Sequence, residues 1–223
     1  PPSVHLAALQ VYEQQSSNGN TVVAACPKAL GALKLFSPRL TGLPESMGQL
    51  AALTTLDLNS CGSLTGLPES MGQLTALMTL DLRGCESMTA LPESVGQLAA
   101  LTALDLFDCS RLTGLPESMG QLAALATLSL DCSSLTKLPE SMGQLAALTT
   151  LYLGSCDWLT ELPAWAGQLT ALATLSLGGC SSLTGLPESM GQLAALTVLD
   201  LSSCRSLTGL PEWMGQLAAL TTL

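Results

Sequence analysis

The sequence is poor in aromatic residues, in basic residues and in histidine. Only 3% of its 223 residues are Phe, Trp or Tyr, although apolar residues make up 48%. A core must therefore be built from Leu, Ala and Met. Seven Lys and Arg stand against seventeen Asp and Glu, and the net charge of −10 disfavours nucleic acid, because no basic patch can displace counterions from phosphates. His5 is the single histidine, which excludes histidine-based triads and His clusters for metal.

Targeting and membrane-spanning patterns are also missing. No run of 18 apolar residues exists, so we expect no membrane insertion. The chain starts Pro1-Pro2-Ser3, without an initiator Met or a signal-peptide pattern, and resembles a processed or excised piece. It stops at Leu223 inside a repeat. An uncapped end would leave leucines in water, so we expect either that the natural chain continues or that another chain covers this end. A monomer and an end-to-end assembly both remain open.

What the sequence contains is one 24-residue unit, repeated. The unit reads LTGLPESMGQLAALTTLDLNSCGS at residues 40–63 and recurs, nearly unchanged, from Leu64, Met88, Leu112, Leu135, Leu159 and Leu183, with a truncated copy from Leu207 to Leu223. Leucines at i, i+3 and i+5 with a fixed period of this size are typical of a stacked solenoid, in which each copy buries its apolar face against its neighbours.

Each copy combines two periodicities. Leu56 and Leu58 alternate with polar residues, which predicts a half-buried strand, and stacked copies would join these strands into one parallel sheet. In LPESMGQL, the spacing of Leu43, Met47 and Leu50 is helical. Pro44 suits a first helical position, and Gly48 predicts a turn or two of 3₁₀ or short α-helix. Helices are bulkier than strands, so we expect the strands on the concave side and the helices on the convex side.

The pattern LxxLxLxxCxxLxxLPxxMGxL resembles the leucine-rich repeat family, and the resemblance covers nearly the whole chain. This version is similar to repeats in plant disease-resistance receptors and in the arrays attached to Roco-type GTPases. The resemblance implies an α/β fold, a right-handed solenoid with a parallel concave sheet. It says little about function, because the family includes receptors, enzyme regulators and assembly subunits.

The domain organisation follows from the repeat frame. Residues 1–39 hold two degenerate LxxLxL copies, around Leu6–Val11 and Leu30–Leu35, and are predicted to form an N-terminal cap. Residues 40–223 hold seven complete copies and one truncated copy, continuous with the cap as one domain. The frame predicts nine complete strands and the start of a tenth, a sheet of about 40 Å at ~4.8 Å per strand.

Seven of the eight cysteines share one column of the repeat: Cys61, Cys85, Cys109, Cys132, Cys156, Cys180 and Cys204. We interpret them as a ladder of buried structural thiols. Zinc and disulfides are the alternatives, but no CxxC pair is present, and seven thiols would leave one unpaired. Reduced cysteines predict an intracellular, cytoplasmic setting. The copy containing Cys132 is one residue short before this cysteine, so Cys132 is the member expected to leave the ladder.

The glutamates of LPES form a second column, interpreted as helix N-terminal charge because identical positions cannot separate the pKa values of an acid–base pair. They are Glu45, Glu69, Glu93, Glu117, Glu140, Glu188 and Glu212. Three tryptophans depart from the unit. Trp158 is expected to be exposed at the rim of its loop, and Trp165 and Trp213, on the convex side, are either packing variants or contacts.

Departures from the unit on the outward strand positions are the strongest functional signal. They predict a partner-binding surface on the concave face, comprising Asp57, Asp81, Arg83, Asp105, Phe107, Asp108, Asp131 and Tyr152. Exposed aromatic residues and Arg are typical anchors for a protein partner; drift at exposed positions is the alternative. We therefore expect a non-catalytic domain of a larger intracellular protein, without cofactor or metal, that binds a protein partner of basic or mixed charge. The alternative is a structural subunit of an assembly, contacted on its convex side and open C-terminal end.

Overall fold

The computed structural model describes residues 30–132 and 134–223. In these residues one parallel sheet contains eight strands in chain order. The strands are β1 (Ala32–Lys34), β2 (Thr55–Asp57), β3 (Thr79–Asp81), β4 (Ala103–Phe107), β5 (Thr127–Asp131), β6 (Thr150–Tyr152), β7 (Thr174–Ser176) and β8 (Val198–Asp200). The predicted parallel sheet is confirmed. The predicted strand at Leu6–Val11 lies outside the described residues, and the start of the tenth is an isolated parallel bridge between Val198 and Thr222. The boundary between a cap and the repeats stays a prediction, since β1 pairs with β2 like any other strand.

Short 3₁₀ helices follow the strands, one in each copy, as the LPESMGQL spacing predicts. Their bounds are Glu45–Gln49, Glu69–Gln73, Glu93–Gln97, Glu117–Gln121, Glu140–Gln144, Ala164–Gln168, Glu188–Gln192 and Glu212–Gln216. The prediction that Pro44 is the first helical residue is wrong by one position. Pro44 precedes the helix in an extended conformation (ψ 152°), and its carbonyl accepts the first helical bond, from the Met47 amide at 3.0 Å.

The core is one continuous cluster of Leu, Met and Cys side chains between the sheet and the helices. Leu56 and Leu58 from the strand half and Leu64 from the loop half are fully buried, as is Met71 from the next helix. Each copy thus supplies the same inward side chains, and the layers repeat along the stack. In the described part of the chain, no helix has the length and apolar character needed to cross a membrane.

Candidate partner-binding face

The sheet register aligns the outward strand side chains into two rows, which together we call the concave face. The first row has one residue per strand, each directly paired with the next: Lys34, Asp57, Asp81, Asp105, Ser129, Tyr152, Ser176 and Asp200. The second row lies two residues further along the chain, at the end of β4 and β5 and just beyond the strand in the other copies: Phe36, Asn59, Arg83, Phe107, Asp131, Gly154, Gly178 and Ser202. Seven of the eight predicted site residues therefore lie together, on β2 to β6 or directly after them. Asp108 lies in the turn after β4, at a φ of 58°, on the rim of this face.

Basic side chains neutralise the acidic end of the first row. Lys34 Nζ lies 2.9 Å from Asp57 Oδ2. Arg83 binds Asp81 through Nε at 3.0 Å and Nη2 at 2.5 Å, and its Nε lies 3.5 Å from Asp105 Oδ2. Burial alone would raise the pKa of Asp57, but hydrogen bonds from Lys34 and the Asn59 amide outweigh it and lower that pKa. Arg83 is therefore held along the face by two carboxylates.

The repeated aspartate of the first row also has a local structural role. Its Oδ1 accepts a hydrogen bond from the backbone amide two residues later: Asn59 to Asp57 at 3.1 Å, Arg83 to Asp81 at 3.1 Å, Phe107 to Asp105 at 3.0 Å and Ser202 to Asp200 at 2.9 Å. Sequence reasoning missed this bond. A recurring Asp between the last two leucines of LxxLxL is its signal, since Asp side chains bond to nearby amides in turns.

Asp131, in the second row, is in a different electrostatic environment. Partial burial raises the pKa of its carboxyl, and the negative charges of Asp108 and Asp157 raise it further. The ion pairs of the described residues join Lys34 and Arg83 to the first row, and none of them includes Asp131. The middle of the concave face thus carries negative charge that the described chain does not neutralise.

A shallow depression of 210 Å³ lies on the concave face over β3 to β6. It is lined by Thr79, Leu80, Asp81, Ala103, Leu104, Asp105, Thr127, Ser129 and Tyr152. Its lining includes the Asp105 carboxylate on β4 and, on β6, the Tyr152 ring, which is 44% exposed. Phe107, 49% exposed, stands beside Asp105 in the second row. The depression therefore combines acidic, aromatic and small side chains.

The cysteine column is a continuous ladder in the structure. Each of the seven thiols donates a hydrogen bond to the carbonyl of the last leucine of LxxLxL in the preceding copy, with Sγ–O distances from 3.0 to 3.5 Å. Burial raises the pKa of Cys85 and Cys132 to about 12. Among the described residues, no group of three or more His, Cys, Asp or Glu could hold a metal ion.

The expectation that Cys132 leaves the ladder is wrong. Its Sγ lies 3.4 Å from the Leu106 carbonyl, and the side chain is buried. The residue missing from this copy is the one that other copies hold at positive φ before the cysteine: Ser60, Gly84, Asp108, Ser155, Gly179 and Ser203. Without that turn residue, β5 runs through Asp131 directly to Cys132 and pairs with β4 over five residues.

The tryptophans are packing residues. Trp158 is half-buried rather than exposed at the rim, because its ring packs against the core and its Nε1–H donates to the Cys132 carbonyl at 3.0 Å. Trp165 and Trp213 are buried. The helix glutamates contact the following copy: Glu45 Oε2 accepts from the Ser70 amide at 3.0 Å, in the first turn of the next helix.

Comparison with known proteins supports the same fold. The profile of the leucine-rich repeat region matches residues 28–113, and that of the single leucine-rich repeat matches residues 195–217. No curated protein matches the sequence. The leucine-rich repeat domain of the type III effector XopL is similar over 99% of this chain and 88% of that domain, with a TM-score of 0.67 and 25% identity.

Two further structures show the range of similar proteins. Internalin C2 of Listeria monocytogenes, at 18% identity, has the same fold, with a TM-score of 0.64 over 99% of this chain and 92% of that one. The ectodomain of the Arabidopsis receptor kinase HAESA, solved with an IDA peptide hormone, is 26% identical, with a TM-score of 0.59 over 85% of this chain and 33% of that one. Repeat pattern, sheet, helices and similar structures agree: the chain is a solenoid of leucine-rich repeats.

Proposed function

We propose that this chain is a non-catalytic interaction domain that binds a protein partner on its concave face. The observation that carries the proposal is the placement of aromatic residues. Both phenylalanines of the sequence, Phe36 and Phe107, and the described tyrosine, Tyr152, lie on the two outward rows, where they are 73%, 49% and 44% exposed. A chain that builds its core almost entirely from aliphatic side chains thus holds these rings in water.

Such rings are costly in solvent and useful at interfaces. Aromatic residues and Arg are enriched at protein–protein interfaces and, as Trp, Tyr and Arg, among the residues that dominate the binding energy, and a rigid sheet loses little entropy when it binds. Drift would place apolar rings on any exposed surface, whereas here they share one face. A peptide hormone bound to the similar HAESA ectodomain supports a peptide or protein ligand.

The charge pattern supports a partner of basic or mixed charge. The chain carries a net charge of −10, and Asp105 and Asp131 contribute negative charge to the concave face. Electrostatic attraction would increase the rate of encounter and make affinity salt-sensitive. We also propose an intracellular location, which the free thiols of the seven described cysteines, six of them buried, support.

The test is partner capture by matched double variants. Arg83→Ala with Phe107→Ala removes two exposed side chains from the concave face and should abolish capture of a partner from a cell lysate without lowering the melting temperature. Arg205→Ala with Met78→Ala removes an equivalent pair that lies outside the two rows, and capture should persist. Equal capture by both double variants would exclude the concave face as the binding surface.

A further inference from the structure

We propose that the depression on the concave face binds an arginine side chain of the protein partner, held between the Asp105 carboxylate and the Tyr152 ring. This inference rests on the proposed function and specifies the chemistry that one part of the face recognises. It involves β4, β5 and β6, the strands where the repeated unit is least regular.

The sheet register provides a slot of suitable width. Asp105, Ser129 and Tyr152 are directly paired residues on three consecutive strands, so the two outer backbones lie about 10 Å apart. The small central side chain of Ser129 leaves the slot open between them, and Ala103 and Thr127 line it on one side. One flat side chain fits between the carboxylate and the ring.

The two walls are suited to a guanidinium group. Asp105 Oδ1 accepts the Phe107 amide at 3.0 Å, while Oδ2 lies 3.5 Å from Arg83 Nε, so this carboxylate retains capacity for further donors. A planar guanidinium can donate to a carboxylate along one edge and stack on an aromatic face at the same time, which a lysine ammonium cannot do as well.

The molecule already places one guanidinium on the same row. Arg83 lies along the concave face with Nε 3.0 Å and Nη2 2.5 Å from the oxygens of Asp81, the first-row residue next to Asp105. The first-row carboxylates can therefore accept a guanidinium from above the sheet. Asp105 faces Arg83 on the β3 side and the open slot on the β5 side.

Arg83 reaches Asp105 from the β3 side, and the two described rows hold no basic side chain on the β5 side of the slot. Lys34 and Arg83 are the basic residues of the two rows, and both lie on the β1 to β3 side. From β4 onward the described rows contain Asp105, Asp131 and Asp200 without a Lys or Arg. Asp131, beside the slot, adds negative charge that Asp108 and Asp157 reinforce. Charge complementarity thus favours a basic segment as the occupant.

The experiment uses a blocked peptide, acetyl-Gly-Ser-Arg-Ser-Gly-amide, titrated into the full chain and followed by amide NMR. Its matched controls contain lysine or citrulline, the latter being the uncharged isostere of arginine. We expect shifts centred on residues 105, 129 and 152 with the arginine peptide, weaker shifts with lysine and none with citrulline. Shifts centred elsewhere, no shifts, or equal response to arginine and citrulline would overturn the proposal.

Variants of the chain locate the site. Asp105→Asn should weaken binding of the arginine peptide about tenfold, and Tyr152→Leu, which keeps apolar bulk, should weaken it about threefold. Asp200→Asn changes a first-row carboxylate on β8 and should leave binding of the arginine peptide unchanged. Melting temperatures establish that each variant is folded. Equal loss in all three variants, or no loss in Asp105→Asn and Tyr152→Leu, would overturn the site.

The same variants separate this inference from the proposed function. If capture of the partner depends on Arg83 and Phe107 but not on Asp105 and Tyr152, the concave face binds its partner without an arginine slot, and this inference fails alone. If the peptide binds in the slot while capture ignores the whole face, the proposed function fails and the guanidinium site remains.

Discussion

The contacts between copies are the same along the stack, whereas the residues of the open concave face differ from copy to copy. Inside the stack, Gly48 faces Ser70 of the next copy, Glu45 accepts its amide, and Cys85 donates to Leu58 of the copy before. On the concave face, a first-row position is Lys, Asp, Ser or Tyr according to the copy. An inward residue packs against equivalent residues in the copy before it and the copy after it. It cannot vary alone, because a new side chain would have to fit both unchanged neighbours. Outward residues meet only each other and solvent.

The difference explains why sequence variation indicates function only on one side. Trp165 and Trp213 replace the helix serine and are buried between copies, so these departures are packing solutions. Phe107 and Tyr152 replace small or polar residues and stay exposed. The four predictions below test this contrast, from the largest expected effect to the smallest.

The cysteine ladder should make stability strongly dependent on alkaline pH. Burial raises the folded-state pKa of Cys85 and Cys132 from 9.0 to about 12, so their contribution is complete below pH 9 and is lost as pH rises towards 12. Each thiol that ionises only on unfolding lowers the unfolding free energy by about 1.4 kcal/mol per pH unit above its ordinary pKa.

Urea unfolding at several pH values from 8 to 11 measures this slope. In the double variant Cys85→Ala with Cys132→Ala, the unfolding free energy should fall distinctly less steeply with pH above pH 9. This holds whatever stability the double variant loses at pH 8. The half-buried thiol of Cys204 provides the control, since Cys204→Ala should change the slope less. Identical slopes for the wild type and the double variant would contradict the ladder's role.

Close packing of the helices predicts the next largest effect. A Cβ added at Gly48 would lie 2.5 Å from the Ser70 carbonyl oxygen and 2.8 Å from the Ser70 Cβ. Gly48→Ala should therefore lower the unfolding free energy by about 3 kcal/mol, because backbone has to move. Gly42, in the same copy, has nothing within 4 Å of an added Cβ, and Gly42→Ala should change it by less than about 0.5 kcal/mol. Equal urea midpoints would show that the helices are not in close contact.

The glutamate column predicts a smaller effect between copies. Glu45→Ala removes the acceptor of the Ser70 amide and should reduce the unfolding free energy by about 0.5–1 kcal/mol, as for other helix N-terminal acceptors. Glu86→Ala, on an exposed loop, is the control and should have no measurable effect by thermal unfolding. A larger loss in Glu86→Ala would refute the role given to Glu45.

A substitution on the concave face should raise the unfolding free energy instead of lowering it. Burial raises the pKa of Asp131, and the negative charges of Asp108 and Asp157 raise it further. The charged form of Asp131 is therefore disfavoured in the folded chain. Asp131→Asn should stabilise the chain slightly at pH 7, by a fraction of a kcal/mol since solvent screens the repulsion. That gain should disappear as pH falls through the raised pKa of the wild-type carboxyl. Thermal unfolding at pH 7 and pH 4 measures both, and a destabilised variant at pH 7 would contradict the repulsion.

The repeat period was enough to predict the elements of the fold. Strands at Leu56 and its homologues and short helices after each LP pair follow from leucine spacing alone, because these side chains face the interior of their own copy. Contacts that cross from one copy to another were harder to predict. The sequence indicated that Glu45 marks a helix N-terminus, but not that it serves the next helix through Ser70.

The candidate site shows the same limit. Outward positions were predictable from alternation, and the register brings them together on one face. That Arg83 would lie along the sheet on Asp81, and that Trp158 would cover the Cys132 carbonyl, depends on side-chain conformations that the pattern does not fix. Cys132 was expected to leave the ladder, yet the deletion removes the turn residue and the longer β5 carries the thiol to its usual place.

The sheet register also has a consequence for folding kinetics. Each strand from β2 to β8 pairs with the strand before it through residues 23 or 24 positions apart, so no strand pairing within residues 30–223, as far as the structure describes them, joins distant parts of the chain. The entropy of loop closure is then the same for each added copy and does not grow with chain length. We expect the array to fold by nucleation in one pair of copies, followed by addition of neighbouring copies. Additional copies should then lengthen the sheet without slowing nucleation.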